Sequence, residues 1–195
     1  MGTFIFATSR PAHALSGYSL SVGVAIAQAL KALGVGVQLK WPNDIVTVRG
    51  DEVLKAGGIL IEVHEASGLR AILVGIGINL AAAPEDVPHA ASTLSISGQA
   101  ARLPELVDGL GRELLSHHRR FVEGGGFSEF RSDWELLSCF EPGRTALCVA
   151  LGEGLPVTGV YLGIEDSGAL RLGDGTAERL VHGGHILSIG LPRSG

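Results

Sequence analysis

Cysteine is scarce in this sequence: Cys139 and Cys148 are the only two among 195 residues. That excludes a disulfide-dense scaffold and the paired Cys-x-x-Cys halves of a zinc site, and it predicts two reduced, mostly buried thiols. Positive charge is not in excess. With 15 Lys+Arg against 20 Asp+Glu the formal charge is −5, so nothing draws the chain as a whole toward nucleic acid or an anionic membrane. Long apolar runs are missing too: none approaches the roughly 18–20 residues a membrane-spanning helix needs. No basic region precedes the short apolar stretch Thr3–Thr8, as a secretory leader would require. A cytoplasmic protein without nucleic-acid or membrane partners is the expectation. The seven histidines include no helical His-x-x-x-His pair, so no metal site is read from them. His117, His118, His182 and His185 are expected at the surface.

What is abundant is apolar residues, at 46%, and glycine, at 29 residues. The first suffices to offset the entropy of ordering the chain. The glycines follow no Gly-X-Y period and read as tight turns and close backbone approaches. Thr3–Thr8 is β-branched and aromatic and reads as a strand. A helix follows from a Ser16 cap to Leu33, with Gly34 as its stop. Strands are predicted at Val37–Lys40 and Ile45–Val48, then a hairpin of Gly57–His64 and Leu69–Leu80 about the turn Glu65–Gly68. After a loop at Ala81–Ala91 come helices over Pro104–Phe121 and around Phe127–Leu137. Beyond Glu141-Pro142-Gly143, short Gly-punctuated strands predict a small antiparallel barrel. The predicted boundary separates residues 1–141 from 142–195.

Three segments could carry chemistry. Lys40-Trp41-Pro42-Asn43-Asp44 sets an ammonium, an amide and a carboxylate on one turn. It could hold a magnesium–phosphate group, with Asp44 toward the cation and Lys40 toward the phosphate, or Asn43 and Asp44 could bond their own backbone. Lys55-Ala56-Gly57-Gly58 could lay bare backbone against a flat ligand under a lysine, or could be a solvated lysine beside a β-bulge. Gly75-Ile76-Gly77-Ile78-Asn79 lacks the third glycine and the following helix of a dinucleotide fingerprint, which excludes that reading. Its glycines could floor a ligand, with Asn79 meeting a base edge, or simply pack. Ser92, Thr93 and the cysteines have no His/Asp arrangement that would make them nucleophiles.

In this order, Lys40–Ile45, Lys55–Glu62 and Gly75–Leu80 resemble the catalytic core of biotin protein ligases. Gly2–Thr8 and the helix from Ser16 are similar to that family's pattern, and residues 143–190 to its small carboxy-terminal domain. The resemblance implies an α/β fold of the α+β type: a mixed-sheet core of the biotin/lipoate ligase type with helices packed on it, plus a C-terminal SH3-like β-barrel. It implies a biotin–[acetyl-CoA-carboxylase] ligase. Biotin and ATP, with Mg, would form biotinyl-5′-adenylate, and a lysine of a biotin carboxyl carrier protein would then take the biotinyl group; a homodimer is compatible with this. Lys55 would be catalytic by charge stabilisation. Lys40, Asn43, Asp44, Gly57, Gly58, Gly75, Gly77 and Asn79 would bind substrate, with Asp44 also toward the metal. The family's Gly-Arg-rich loop should precede Gly2–Thr8, and an arginine often follows its last strand, where this sequence has Ser188–Leu191 and then Arg193. The expectation is therefore weak biotin binding and slow adenylation by these 195 residues alone, the alternative being an incomplete, non-catalytic ligase-like binding module.

Overall fold

The computed structural model describes residues 1–66, 68–80, 92–94, 99–150 and 155–190. Ser67 of the expected turn, the loop 81–91 with His89, and Leu191 and Arg193 lie outside these residues.

Strand β1 (Gly2–Thr8) leads through a 3-10 turn, Ala12–Leu15, into helix α1 (Tyr18–Ala32). Four strands follow: β2 (Gln38–Lys40), β3 (Asp44–Arg49), β4 (Glu52–Ala66) and β5 (Leu69–Ile78). They form one sheet of order β1-β5-β4-β3-β2 in which every pair is antiparallel. The expected mixed sheet is thus corrected. Consecutive strands from β2 to β5 are separated by three residues or fewer, a length that only antiparallel pairing permits, and α1 carries the chain across from one edge strand to the other.

Alternation along β4 and β5 separates two faces. Ile59, Ile72, Val74 and Ile76 are buried on one side with α1, whose Val24, Ala25, Ile26 and Leu30 are fully enclosed. Helix α2 (Gln99–Glu123) and helix α3 (Arg131–Leu137), which follows a 3-10 turn at Gly126–Phe130, add Leu106, Leu110, Leu114, Phe121, Phe130 and Trp134 to the same core. Ser16 does not cap α1. Gly17 occupies the cap with φ 75°, and the Ser16 hydroxyl instead donates to the Ser167 carbonyl at 2.7 Å. His117 and His118 are 3% and 7% exposed, not at the surface. His118 stacks on Phe6 and His117 on Phe130, so both rings serve as core aromatics.

The remaining strands are β6 (Ala146–Ala150), β7 (Val157–Ile164), β8 (Leu170–Gly173), β9 (Glu178–Val181) and β10 (His185–Gly190). Their order is β10-β6-β7-β8-β9, an open sheet whose edge strands β9 and β10 are not paired with each other among the described residues. The expected SH3-like β-barrel is therefore corrected to an open antiparallel sheet. Bulges at Tyr161/Gly163 and Ile186/Ser188 bend the strands, but β8 and β9, four residues each, offer too little length for the stagger that closure demands. The sheet is nevertheless locked to the core. The β7–β8 turn sets Gly168 (φ 83°) so close to Gly17 that a Cβ there would lie 2.7 Å from the Gly17 Cα.

Candidate ligand site on the open face of the core sheet

The sheet face away from α1 carries Gly58, Leu60 and Glu62 of β4, Leu73, Gly75 and Gly77 of β5, and Thr3 of β1. Register places Gly58 opposite Gly77, Leu60 opposite Gly75, and Gly75 opposite Thr3. The missing side chains open a depression. A cavity of about 540 Å³ lies over these residues, bounded also by Met1, Asn43, Lys55, Gly57 and Asn79.

Lys55 enters this cavity because β4 carries a bulge. Ile45 pairs with Gly57 while Val46 pairs with Lys55, which leaves Ala56 unpaired and buried. The Lys55 ammonium folds back over Gly58, where a Cβ would stand 3.4 Å from its Cε, and reaches the Asp44 Oδ1 at 2.6 Å. Lys40 and Asp44 are the terminal pair of the β2–β3 hairpin, so the Lys40 ammonium approaches the same carboxylate, 3.7 Å from Oδ2. Two ammonium groups on one carboxylate leave this corner with a net positive charge, suited to an anion. Lys40 itself does not border the cavity.

The turn between these strands is tightly held. The buried Trp41 indole donates to the Gly168 carbonyl at 3.1 Å and the Ser19 hydroxyl to the Pro42 carbonyl at 3.0 Å. Asn43 exchanges bonds with Ile59, its side-chain amide donating to the Ile59 carbonyl at 2.8 Å and its carbonyl accepting from the Ile59 N–H at 2.9 Å. At the other end, the Asn79 amide donates to the Lys55 carbonyl at 3.3 Å and to the Ser92 carbonyl at 3.1 Å. Both amide protons are then engaged, and the Asn79 side-chain oxygen remains as an acceptor.

Sequence reasoning missed Ser92 and Thr47. The Ser92 N–H donates to the Lys55 carbonyl at 2.8 Å, and its hydroxyl bonds that of Thr47 at 2.8 Å, so the segment 92–94 props the bulge from outside the sheet. No motif marks that contact. Leu60, Glu62 and Leu73 were also missed, though the period-2 pattern of a strand running on from Gly58 would have pointed to them.

Asp44 does not fit a protein-held magnesium ion. Its carboxylate is taken by two ammonium groups, and among the described residues no three His, Cys, Asp or Glu side chains gather to hold a metal. Burial pushes the Cys139 thiol up to about 12, which favours its protonated form. No helix among the described residues is long and apolar enough to cross a membrane.

The biotin/lipoate A/B protein ligase family pattern matches residues 2–79, the stretch that holds every residue of the cavity but Met1. A biotin–[acetyl-CoA-carboxylase] ligase from Paracoccus denitrificans is 30% identical over 187 residues, covering 88% of this chain and 72% of that protein. The chain belongs to the biotin protein ligase family. A second ligase of that name, from Mycobacterium tuberculosis, is 29% identical and covers 92% of the chain and 65% of its own length. Among solved structures, the biotin protein ligase from Aquifex aeolicus in complex with biotin and ATP superposes with a TM-score of 0.70 over 98% of this chain and 78% of that one, at 23% identity. At that identity the match speaks for the fold, a mixed α/β arrangement with antiparallel sheets shared across biotin protein ligases.

Proposed function

We propose that the cavity binds biotin and ATP and joins them as biotinyl-5′-adenylate for transfer to a lysine of a carrier protein. The observation that carries this is the Lys55 ammonium, folded over the bare backbone of Gly58 at the rim of an apolar depression and anchored by Asp44. Family membership supplies the substrates, and the relatives' names supply the acceptor class, a carboxylase.

In this reading the flat ring system lies on Gly58, Gly75 and Gly77, against Leu60 and Leu73. The biotin carboxylate then meets Lys55. Its oxygen attacks the α-phosphorus of ATP, the bond to the β-phosphate bridging oxygen breaks, and pyrophosphate leaves. Lys55, joined by Lys40 through Asp44, opposes the negative charge that accumulates there, and needs no proton transfer to do so. Asn79 and Asn43 offer side-chain oxygens to the adenine amino group or the ribose hydroxyls. An incoming lysine amine finally attacks the acyl carbon and AMP departs.

Biotin-dependent exchange of labelled pyrophosphate into ATP tests the reading. Exchange above the rate without biotin, lost in Lys55→Ala, supports it. Binding of biotin without exchange by either protein would leave a ligand-binding module rather than a ligase.

A further inference from the structure

Lysine is rarer in this chain than its charge suggests: Lys31, Lys40 and Lys55 are the only three, against twelve arginines. Lys31 is exposed in the last turn of α1. The other two both hold the Asp44 carboxylate, at 2.6 Å for Lys55 and 3.7 Å for Lys40. An acyl-adenylate formed in the cavity would therefore lie beside an amine of the protein itself, and amines are what such an anhydride acylates; a guanidinium is not.

We propose that Asp44 is a specificity residue that keeps the site's own lysines from accepting the acyl group meant for an incoming lysine. This rests on the reading that an acyl-adenylate forms in this cavity. An ammonium nitrogen in an ion pair has three N–H donors and no electron pair to attack with. Without the carboxylate charge, two ammonium groups would share one corner with Glu62 as the only other charged side chain bordering the cavity among the described residues. Neither nitrogen would then be held in an ion pair, and a head group present as the amine could approach the acyl carbon. The free amine nitrogen would then attack the acyl carbon, the bond from that carbon to the phosphate oxygen would break, AMP would leave with the electron pair, and the nitrogen would give up one proton to water. The chain would retain the biotinyl group as an amide on Lys55 or Lys40.

The experiment adds synthetic biotinyl-5′-adenylate to the chain and maps acylated lysines by peptide mass spectrometry, with Lys31 as the internal reference. In the unsubstituted protein Lys55 and Lys40 are expected to be acylated more slowly than Lys31. In Asp44→Asn their rate relative to Lys31 should rise at least tenfold, whereas Asp44→Glu, which keeps the charge, should stay protected. Lys55 acylated faster than Lys31 in the unsubstituted protein overturns the proposal, and needs no variant to fold. So does a folded Asp44→Asn with an unchanged ratio. A parallel titration with a hydrolysis-resistant biotinyl-adenylate analogue separates the two claims. Failure of the analogue to bind the unsubstituted protein removes the ligase reading and this inference with it, whereas binding with an unchanged ratio removes the inference alone.

Discussion

At the residue scale, Lys55 is fixed twice, and the two fixings differ in how visible they are in sequence. Lys55 is placed by its backbone, through bonds from Ser92 and Asn79, and by its head group, through Asp44. The lysine and its glycines were legible because the motif brings them within four positions. The Ser92 prop was not, because it depends on a chain return from 37 residues away that no local pattern encodes. If Asn79 acts by holding the Lys55 carbonyl, Asn79→Asp should lower the exchange kcat tenfold or more with little change in the KM for ATP. A change confined to KM would instead mark Asn79 as a nucleotide contact alone.

The buried histidines show the opposite failure. Polarity argued for the surface, but stacking and hydrogen bonds made burial affordable: His118 bonds the Tyr18 hydroxyl at 2.9 Å and the Ala7 carbonyl at 3.3 Å. His117 donates from Nδ1 to the Glu113 carbonyl at 2.9 Å, and its buried Nε2 has no partner among the described residues. Burial is the main cause that lowers both imidazoles below their ordinary 6.5. The unfolded chain therefore binds protons on these histidines that the native chain does not, so stability falls as pH drops below 6.5 toward the native values. Carboxylates such as Glu165 and Glu178, also lowered, through their hydrogen bonds, act only below 4.5. The melting temperature should thus decline between pH 6.5 and 5. In His117→Phe, which keeps the stack on Phe130, the decline should be smaller; an equal decline would contradict this assignment.

At the element scale, existence and order of strands were read correctly where alternation or β-branched runs were clear, and limits were not. Strand β4 runs from Glu52 to Ala66, so Lys55 lies inside it rather than ahead of the expected start at Gly57. The bulge at Ala56 lets the ladder continue past two glycines that otherwise look like an end. Helix α2 likewise extends back through Pro104 to Gln99. The same bulge divides the glycines by role. A Cβ on Gly57 would lie 2.5 Å from the Gly77 carbonyl oxygen, while one on Gly58 makes ordinary contacts, 3.4 Å from the Lys55 Cε and 3.9 Å from the Asn43 carbonyl oxygen. Gly57→Ala should cost about 1–3 kcal/mol of stability. Gly58→Ala should melt within a few degrees of the unsubstituted protein yet weaken ligand binding, since its methyl occupies the floor. Equal stability of the two variants in denaturant titration would show that the bulge is not what demands Gly57.

At the scale of the whole molecule, the second sheet is tied to the candidate site rather than appended to the core. Its β7–β8 turn receives the Trp41 and Ser16 bonds and packs Gly168 on Gly17, and Cys139 N–H donates to the Leu39 carbonyl at 2.9 Å. That closeness was not legible, because glycines 151 positions apart announce nothing about each other. The barrel expectation failed for a related reason: strand spacing reports the number of strands, not whether the last edge finds a partner. Gly168→Ala, strained at φ 83° and colliding with Gly17, should lower stability by about 1–3 kcal/mol. It should also weaken ligand binding through the Trp41–Asp44 turn. Lost stability with intact binding would show the second sheet to be independent of the site.

The central claim is that Lys55 and the glycine floor form one anion-tipped ligand site. Calorimetric titration of the chain and of Lys55→Ala with a hydrolysis-resistant biotinyl-adenylate analogue tests it most directly. One site per chain is expected, with affinity falling about 10- to 150-fold in the variant, the equivalent of a charged hydrogen bond worth roughly 1.5–3 kcal/mol. Equal affinity for the two proteins would contradict it.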